Sequence, residues 1–593
     1  MFKRSLFTAL CAIVTFLGPA AAATGDRPLH PNVIIVITDD QGYGDLGCHG
    51  NAVIKTPHLD RLHAESTRLT NFHVSPTCAP TRAALMTGRY ANATGVWHTI
   101  MGRSILRRDE ATIGRVFADA GYSTAMFGKW HLGDNFPSRP EDMGFQHVVR
   151  HGGGGVGQLP DVWGNDYFDD TYWVNGERKK FEGYCTDVWF SEALDFIDAQ
   201  RGKAEPFLAY VSTNAPHGPY LVAEKYEKPY SGNAEVPNAA FYGMITNLDE
   251  NVGRMLGKLD EWSLAENTIL IFMTDNGTAA GYSVPRTGGV TAKGFNAGMR
   301  GTKGSEYEGG HRVPFFVRWP AGGVTAGRDI PTLTAHIDVL PTLMEYCGIK
   351  SRPEGAPLMH GRSLVPLISA DAQSWGARTL VTDSQRIEIP EKWRKSAVMT
   401  DRWRLIRGEE LYDISADPAQ QDDISKENPE VVETLRGEYE KWWESVSIHF
   451  DSTCDIVVGD PRDQPSCLTS HDWHGPRVPW NQNMVKAGFV GTGSWAIDVT
   501  EAGKYEIVVT RWPIELGAPI NGKVDGGQAI VATKVRLLAG TGELSKEVPE
   551  GATKIRFEVD LPAGSQRLQA WLVDDTKDEP VERGAYFVYI KRL

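Results

Sequence analysis

Cysteine is scarce in this chain, with seven among 593 residues. The spacing gives neither a zinc knuckle nor a disulfide framework. Beyond the N-terminal leader no stretch is apolar enough, for long enough, to span a bilayer. Net positive charge is absent as well. A formal net charge of −14 makes a poor non-specific binder of nucleic acid or of an anionic membrane. The glycine-rich segment "HGGGGVGQLPDVWGNDYFDDTYWVNG" (151–176) is followed by no Lys-Ser/Thr at P-loop spacing, so its glycines are not read as a phosphate cradle. It reads instead as a long loop over a sheet, near a site. There is no internal repeat. What remains is an ordinary globular composition, 41% hydrophobic and 23% charged. The length asks for about two to four domains.

Lys3 and Arg4 precede an apolar run from Leu6 to Leu17, and Ala21 to Ala23 follow. That is a secretory leader, residues 1–23, cut after Ala23. The mature chain is expected to be exported, periplasmic or secreted, with no membrane insertion after cleavage. Cys11 leaves with the leader. Cys454 and Cys467 lie close together in a Pro- and Asp-rich stretch and are candidates for a local disulfide. Cys48, Cys78, Cys185 and Cys347 are scattered.

Four apolar runs end in polar clusters: "NVIIVITDD" (32–40), "STAMFGKWHLG" (123–133), "FLAYVSTNAPHGP" (207–219) and "TILIFMTDNG" (268–277). Helical patterns such as "TIGRVFADAG" and "VWFSEALDFIDAQ" lie between them. The alternation predicts an α/β domain over 24–378, with a sheet buried on both faces. Ligands in such folds gather at the carboxyl ends of the strands, where all four clusters fall. Residues 379–449 read as short strands, a turn and an amphipathic helix, a smaller α+β subdomain. Residues 450–478 read as a linker. Short alternating strands with turns over 479–593 predict an all-β sandwich.

Two pairs of oxygen donors, Asp39 with Asp40 and Asp275 with Asn276, end two of the strands. Either pair alone is equally a helix N-cap or a turn. Together, at matching positions and without His or Cys partners, they suit a hard cation, Ca²⁺ or Mg²⁺. "SPTCAPTRAALMTGR" (75–89) is the other focus. Pro80 favours a helix start, which puts Cys78 at a helix N-terminus where backbone N–H groups favour an anion. Arg82 is one turn on, on the same face. Taken alone, the pair is also consistent with a buried Cys and a surface Arg.

The segment Cys78-Ala79-Pro80-Thr81-Arg82 resembles the C-x-P-x-R signature of the type I sulfatases, of the alkaline-phosphatase-like superfamily. Leu85, Thr87, Gly88 and Arg89 extend the match. "GKWHLG" (128–133), the DD after the first strand, the DNG after a later one, and "GTKGSEYEGGHRVP" (301–314) follow the same family pattern in order. The resemblance covers roughly 31–446. Thr81 stands where the family often has Ser.

The resemblance implies a sulfuric ester hydrolase. A formylglycine-generating enzyme would read C-x-P-x-R and oxidise Cys78 to an aldehyde. One hydroxyl of the aldehyde hydrate would attack sulfur, and the second would let the sulfated intermediate expel sulfate. Asp39, Asp40, Asp275 and Asn276 would hold Ca²⁺, with the modified Cys78 as a further ligand. Arg82 would help activate the nucleophile. Lys129 and Lys303 would bind sulfate oxygens. His131 would take the proton in the elimination, and His217 would protonate the leaving oxygen. His98, in "GVWHTIMGR", is a candidate for the substrate pocket and equally a structural His. Export, the aromatics and the added sandwich point to a sulfated carbohydrate as substrate.

One rival is a formylglycine-dependent phosphonate or phosphate ester hydrolase of the same superfamily. Another is a non-catalytic carbohydrate-binding protein, which the complete motif set disfavours. The sandwich has two readings. It binds polysaccharide by itself through Trp480, Trp495, Trp512 or Trp571, or it packs on the catalytic domain, shaping one side of the pocket, with Trp512 near the interface. Alternation in "GKYEIVVTRW" puts Tyr505, Ile507 and Val509 on one face. Pro513 then ends the ladder beside Trp512, and packing is the expectation.

Overall fold

The computed structural model describes residues 30–284, 292–369, 375–540 and 542–593. The expected leader lies outside them. Among the described residues no helix is long and apolar enough to cross a membrane.

A ten-stranded sheet forms the centre. Its middle is parallel: Thr268–Thr274, Asn32–Thr38, Phe207–Ser212, Ser123–Gly128 and His147–Arg150 lie side by side in that order. Phe315–Arg318 joins Thr268–Thr274 antiparallel. The strand Asn32–Thr38 is apolar at nearly every position because each of its faces is covered. Val33, Ile35 and Ile37 pack with Ala83, Met86, Val116 and Leu340, from the helices Cys78–Thr87, Ile113–Asp119 and Val339–Tyr346. Ile34 and Val36 pack with Trp189, Met244 and Leu248, from the helices Cys185–Gln200 and Ala239–Glu261. Period-two alternation therefore serves two cores rather than one core and solvent.

A four-stranded antiparallel sheet follows, Leu380–Asp383, Ser396–Met399, Trp403–Ile406 and Glu410–Asp413. The helix Pro429–Val446 covers one face of it through Val432, Leu435, Tyr439 and Trp442.

Two more sheets build the C-terminal sandwich. One contains Ile456–Val458, Trp495–Val499, Gly564–Asp574, Lys534–Ala539, Gly542–Glu547 and Val581–Gly584. The other contains Ser466–Thr469, Phe587–Arg592, Gly503–Thr510 and Ile555–Leu561. Tyr505, Ile507 and Val509 are fully buried in the core between them. The segment 450–478 is thus not a linker. It gives one strand to each sheet, Ile456–Val458 beside Trp495–Val499 and Ser466–Thr469 beside Phe587–Arg592. Strands of three and four residues are too short to show an alternation, and the surrounding Pro and Asp hid them.

Cys454 and Cys467 are unbridged. Cys467 lies on a sandwich strand opposite Tyr589, while Cys454 approaches Gly95 of the catalytic domain. They face different neighbours, which accounts for the absence of the expected disulfide. Trp512 is buried, and its ring meets Trp163 of the glycine-rich segment edge-on at 5.5 Å. The sandwich packs on the catalytic domain there. Trp495 and Trp571 are buried, so neither offers a face to a ligand.

Candidate active site

The parallel ladder sets the site. Thr38 lies opposite Thr274, so the residues that follow become neighbours. The Asp275 N–H donates to Thr38 O at 3.0 Å, and the Asp40 N–H donates to Asp275 Oδ1 at 3.1 Å. Asp40 pays for its turn with a left-handed φ of 69°. Ligand atoms of Asp39, Asp40 and Asp275 fall within 4.8 Å of one another, all buried.

Three cations face these carboxylates. Lys129, which follows the strand Ser123–Gly128, puts Nζ 2.5 Å from Asp39 Oδ2. Lys303 puts Nζ 2.5 Å from Asp40 Oδ1. Its loop is pinned by Lys303 N–H to Thr278 O and Gly304 N–H to Pro76 O, which join the turn after Asp275 to the segment before Cys78. Arg82 donates to Asp275 Oδ2 from Nε at 3.2 Å and Nη2 at 2.7 Å. It also meets Ser212 Oγ and Lys129 O through Nη1. Burial pushes the Asp40 carboxyl up, but Lys303 and then His217 outweigh it and hold the group well below the carboxylate range. Burial and then the charge on Asp39 push Asp275 up, against Arg82 and Lys129.

Two oxygens remain unused. Asp39 Oδ1 and Asn276 Oδ1 are buried and have no hydrogen-bond partner, a state that costs about 1–3 kcal/mol each. The donor set is all oxygen and carries three carboxylates. Both features fit a hard cation of the Ca²⁺ class.

Cys78 opens the helix Cys78–Thr87 and is 2% exposed. Its sulfur shares a cluster with Asp39 and His217. The helix N-terminus does not make it a thiolate. Burial, reinforced by Asp39, pushes the thiol up to about 12 against Lys129 and Lys303. Unmodified, it is protonated at neutral pH and a poor nucleophile.

His131 has a left-handed φ of 64°. Its Nε2 lies 2.9 Å from Thr99 O and therefore carries the proton. Its Nδ1 is buried, without a partner, and holds the lone pair. Burial, then Lys129, keeps its pKa well below the ordinary histidine value. A Cβ on Gly154 would stand 2.2 Å from this ring, so the glycine-rich segment lies directly on it. His217 donates from Nδ1 to Gly218 O at 2.6 Å and sets Nε2 3.7 Å from Asp40 Oδ2. Burial lowers it to about 4, against Asp40.

The cavity above Cys78 is lined by Thr99, Ile100, His131, Gln158, His217, Lys303, Arg386 and Trp480. His98 is not among them. It is buried, and its Nδ1 accepts the N–H groups of Thr99 at 2.6 Å and Ile100 at 3.3 Å. Burial, then Arg386, lowers it to about 3. His98 shapes the turn, and the next two residues face the cavity. Thr99, Ile100, Gln158 and Arg386 carry no motif that marks them. Trp480 is the residue by which the sandwich forms one wall of this cavity, a position that no pattern in the sequence singles out.

The Sulfatase family model matches residues 31–349, more than half of the chain. The chain belongs to the sulfatase family. A second family model, N-sulphoglucosamine sulphohydrolase C-terminal, matches residues 302–444. As a type I sulfatase of the alkaline-phosphatase-like superfamily, the protein is a sulfuric ester hydrolase. Human arylsulfatase A is 30% identical over 456 residues, covering 70% of this sulfatase and 81% of the relative. Mouse steryl-sulfatase is 30% identical over 444 residues, covering 61% and 69%. Among solved structures, Ps i-CgsB in complex with k-i-k-neocarrahexaose is similar with a TM-score of 0.60 and 26% identity, over 70% of this chain and 92% of that one. Both family models end before the sandwich.

Proposed function

We propose that this sulfatase is exported and Ca²⁺-dependent, and that it hydrolyses sulfate monoesters of a carbohydrate through a formylglycine made from Cys78. The observation that carries this reading is the placement of Cys78. It opens a helix beside Asp39 and His217 and faces a cavity shared with His131, His217 and Lys303, where a sulfate ester must be attacked. Conversion by a formylglycine-generating enzyme during maturation would suit that position, because the hydrated aldehyde supplies hydroxyls in place of sulfur. A cation held by Asp39, Asp40, Asp275 and Asn276 supplies charge against the sulfate oxygens.

The remaining roles belong to side chains that surround Cys78. Arg82 fixes Asp275 and adds positive charge beside residue 78. Lys129 and Lys303 offer two ammoniums to sulfate oxygens as charge develops on them. His217, which lines the cavity beside Lys303, serves the leaving oxygen. His131, with its proton on Nε2, accepts at Nδ1 the proton released when sulfate departs. The carbohydrate assignment is supported by the hexaose in the similar structure and by the relative N-acetylgalactosamine-6-sulfatase of dog, 30% identical over 391 residues, covering 59% of this chain and 71% of the relative. Export is supported by the leader-like residues 1–23.

Peptide mass analysis of active protein tests the central step. The peptide containing position 78 should carry the aldehyde or its hydrate. Full activity with an unmodified thiol there would end this mechanism. Faster release of phosphate than sulfate from matched esters would redirect the substrate assignment.

A further inference from the structure

Of the 17 tryptophans in the chain, Trp480 is the only one that is exposed among the described residues, at 37%. It belongs to the C-terminal sandwich, beyond residue 444 where the family match ends. Yet it lines the same cavity as Cys78, His131, His217 and Lys303. Among the described residues its ring has no aromatic partner, whereas Trp473, Trp495 and Trp512 of the same sandwich each pack on another ring.

Its position is fixed by backbone. The Leu159 N–H donates to Trp480 O at 3.0 Å, and Gln158 bridges Asn481. Gln482 Nε2 donates to Gln158 O and Val162 O, each at 3.2 Å. Gln158 in turn accepts the Gly154 N–H at 2.8 Å, and Gly154 lies against His131. One short chain of contacts thus runs from Trp480 to the proposed base.

Arg386 lines the cavity from the smaller subdomain. It is exposed, has a left-handed φ of 45°, and its guanidinium has no hydrogen-bond or ion-pair partner among the described residues. The other cations at the site, Arg82, Lys129 and Lys303, are all engaged with carboxylates. An unengaged guanidinium at the rim invites a second anion.

We infer that Trp480 and Arg386 form the subsite for the alcohol part of the ester. Trp480 stacks on the face of the pyranose that carries the sulfate, and Arg386 pairs with a further anionic group on that ring or the next. The inference rests on the carbohydrate reading above. It makes the sandwich a specificity element of the catalytic cavity rather than a separate binding module. An aromatic face against the C–H face of a sugar gives affinity without hydrogen bonds, and it leaves the sulfate contacts to the lysines.

The test uses the full-length matured enzyme and a panel of sulfated monosaccharides. Trp480→Ala should raise KM for the best substrate about tenfold, equivalent to about 1.4 kcal/mol, with the loss in KM rather than kcat. Trp480→Phe should recover most of it. Inhibition by inorganic sulfate, which needs only the lysine side of the cavity, should be unchanged in both. Arg386→Ala should erase the preference for sugars with a second anion over singly sulfated ones. Comparing a disulfated sugar with a sulfated uronate shows whether that anion is sulfate or carboxylate. An unchanged KM in Trp480→Ala overturns the stacking role. An equal loss of sulfate inhibition also overturns it, since the cavity would then have collapsed. Unchanged discrimination in Arg386→Ala overturns the anion contact. If the wild type turns over aryl sulfates and no saccharide, the carbohydrate reading falls first and this inference with it.

Discussion

Cys78 stands under two opposed influences, and their balance is measurable. The helix start favours a thiolate, while burial disfavours it and prevails, with the thiol pushed up to about 12. Cys347, Cys454 and Cys467 are each pushed up to about 12 as well, chiefly by burial. At pH 8 such groups are almost entirely protonated. A thiol reagent should therefore react slowly with the native protein at this pH. After denaturation it should count one thiol fewer than the six cysteines of the described chain, because position 78 is converted. Six reactive thiols in a fully active sample would contradict the conversion. The cation site makes a second residue-scale expectation. Asp39 Oδ1 and Asn276 Oδ1 wait without partners, so chelation should remove most activity and Ca²⁺ should restore it. Asp275→Ala should lose activity without rescue by Ca²⁺, and a thermal-shift titration should show wild type stabilised by Ca²⁺. Restoration by zinc alone would refute the oxygen-ligand reading.

Elements carry the next level, and the glycine-rich segment is the instructive one. Its composition reads as a long loop over the sheet near the site, without naming which of its glycines matters. The structure shows why glycine is needed at one position: Gly154 touches the His131 ring, and a Cβ there would lie 2.2 Å away. Gly154→Ala must displace the ring or the loop. The expected result is a kcat loss on the order of 10²-fold, comparable to other small misplacements of catalytic groups. Thermal stability should change far less. Wild-type kcat in Gly154→Ala would show that the ring's placement is not critical.

The same scale explains what was legible in the sequence. Asn32–Thr38 and Thr268–Thr274 could be read because both faces are buried and the runs are unbroken. The rule for strand ends in parallel sheets then pointed to Asp39, Asp40, Asp275 and Asn276, while Lys129 and His217, in clusters at the same ends, were singled out only by the family resemblance. Ile456–Val458 and Ser466–Thr469 could not be read, being too short for a period. Trp480 and Arg386 could not be placed in the cavity for a different reason. They reach it through packing between units far apart in the chain, and no local pattern records that. Of the two readings of His98, the structure matches the structural one: its ring stabilises the turn, and the turn presents its neighbours Thr99 and Ile100 to the cavity.

At the scale of the whole molecule the question is whether the sandwich can be removed. Its core cluster is not its own. Met101, Ile105 and Leu159 of the catalytic domain are buried in it, with Trp163 packed against it. Backbone bonds cross the same boundary, from Met101 N–H to His471 O at 2.9 Å and from Leu159 N–H to Trp480 O at 3.0 Å. Ion pairs add Arg178 to Glu515 at 2.6 Å and His474 to Glu388 at 2.7 Å, though the exposed ones contribute little. Deleting residues 450–593 would return these apolar side chains to water. Each fully buried aliphatic residue is worth about 1.5–3 kcal/mol, so the loss approaches the margin of an ordinary domain, about 5–15 kcal/mol. The truncated protein should aggregate or melt many degrees lower, and it should lose saccharide turnover even where it stays folded, since Trp480 and the anchor for Gln158 are gone. Double replacement of Trp163 and Trp512 by Ala in the full chain gives a milder version, with a lowered Tm and weakened catalysis. A truncated enzyme with wild-type Tm and saccharide kinetics, beside a soluble sandwich that binds sulfated polysaccharide by itself, would show instead that the two parts are independent modules.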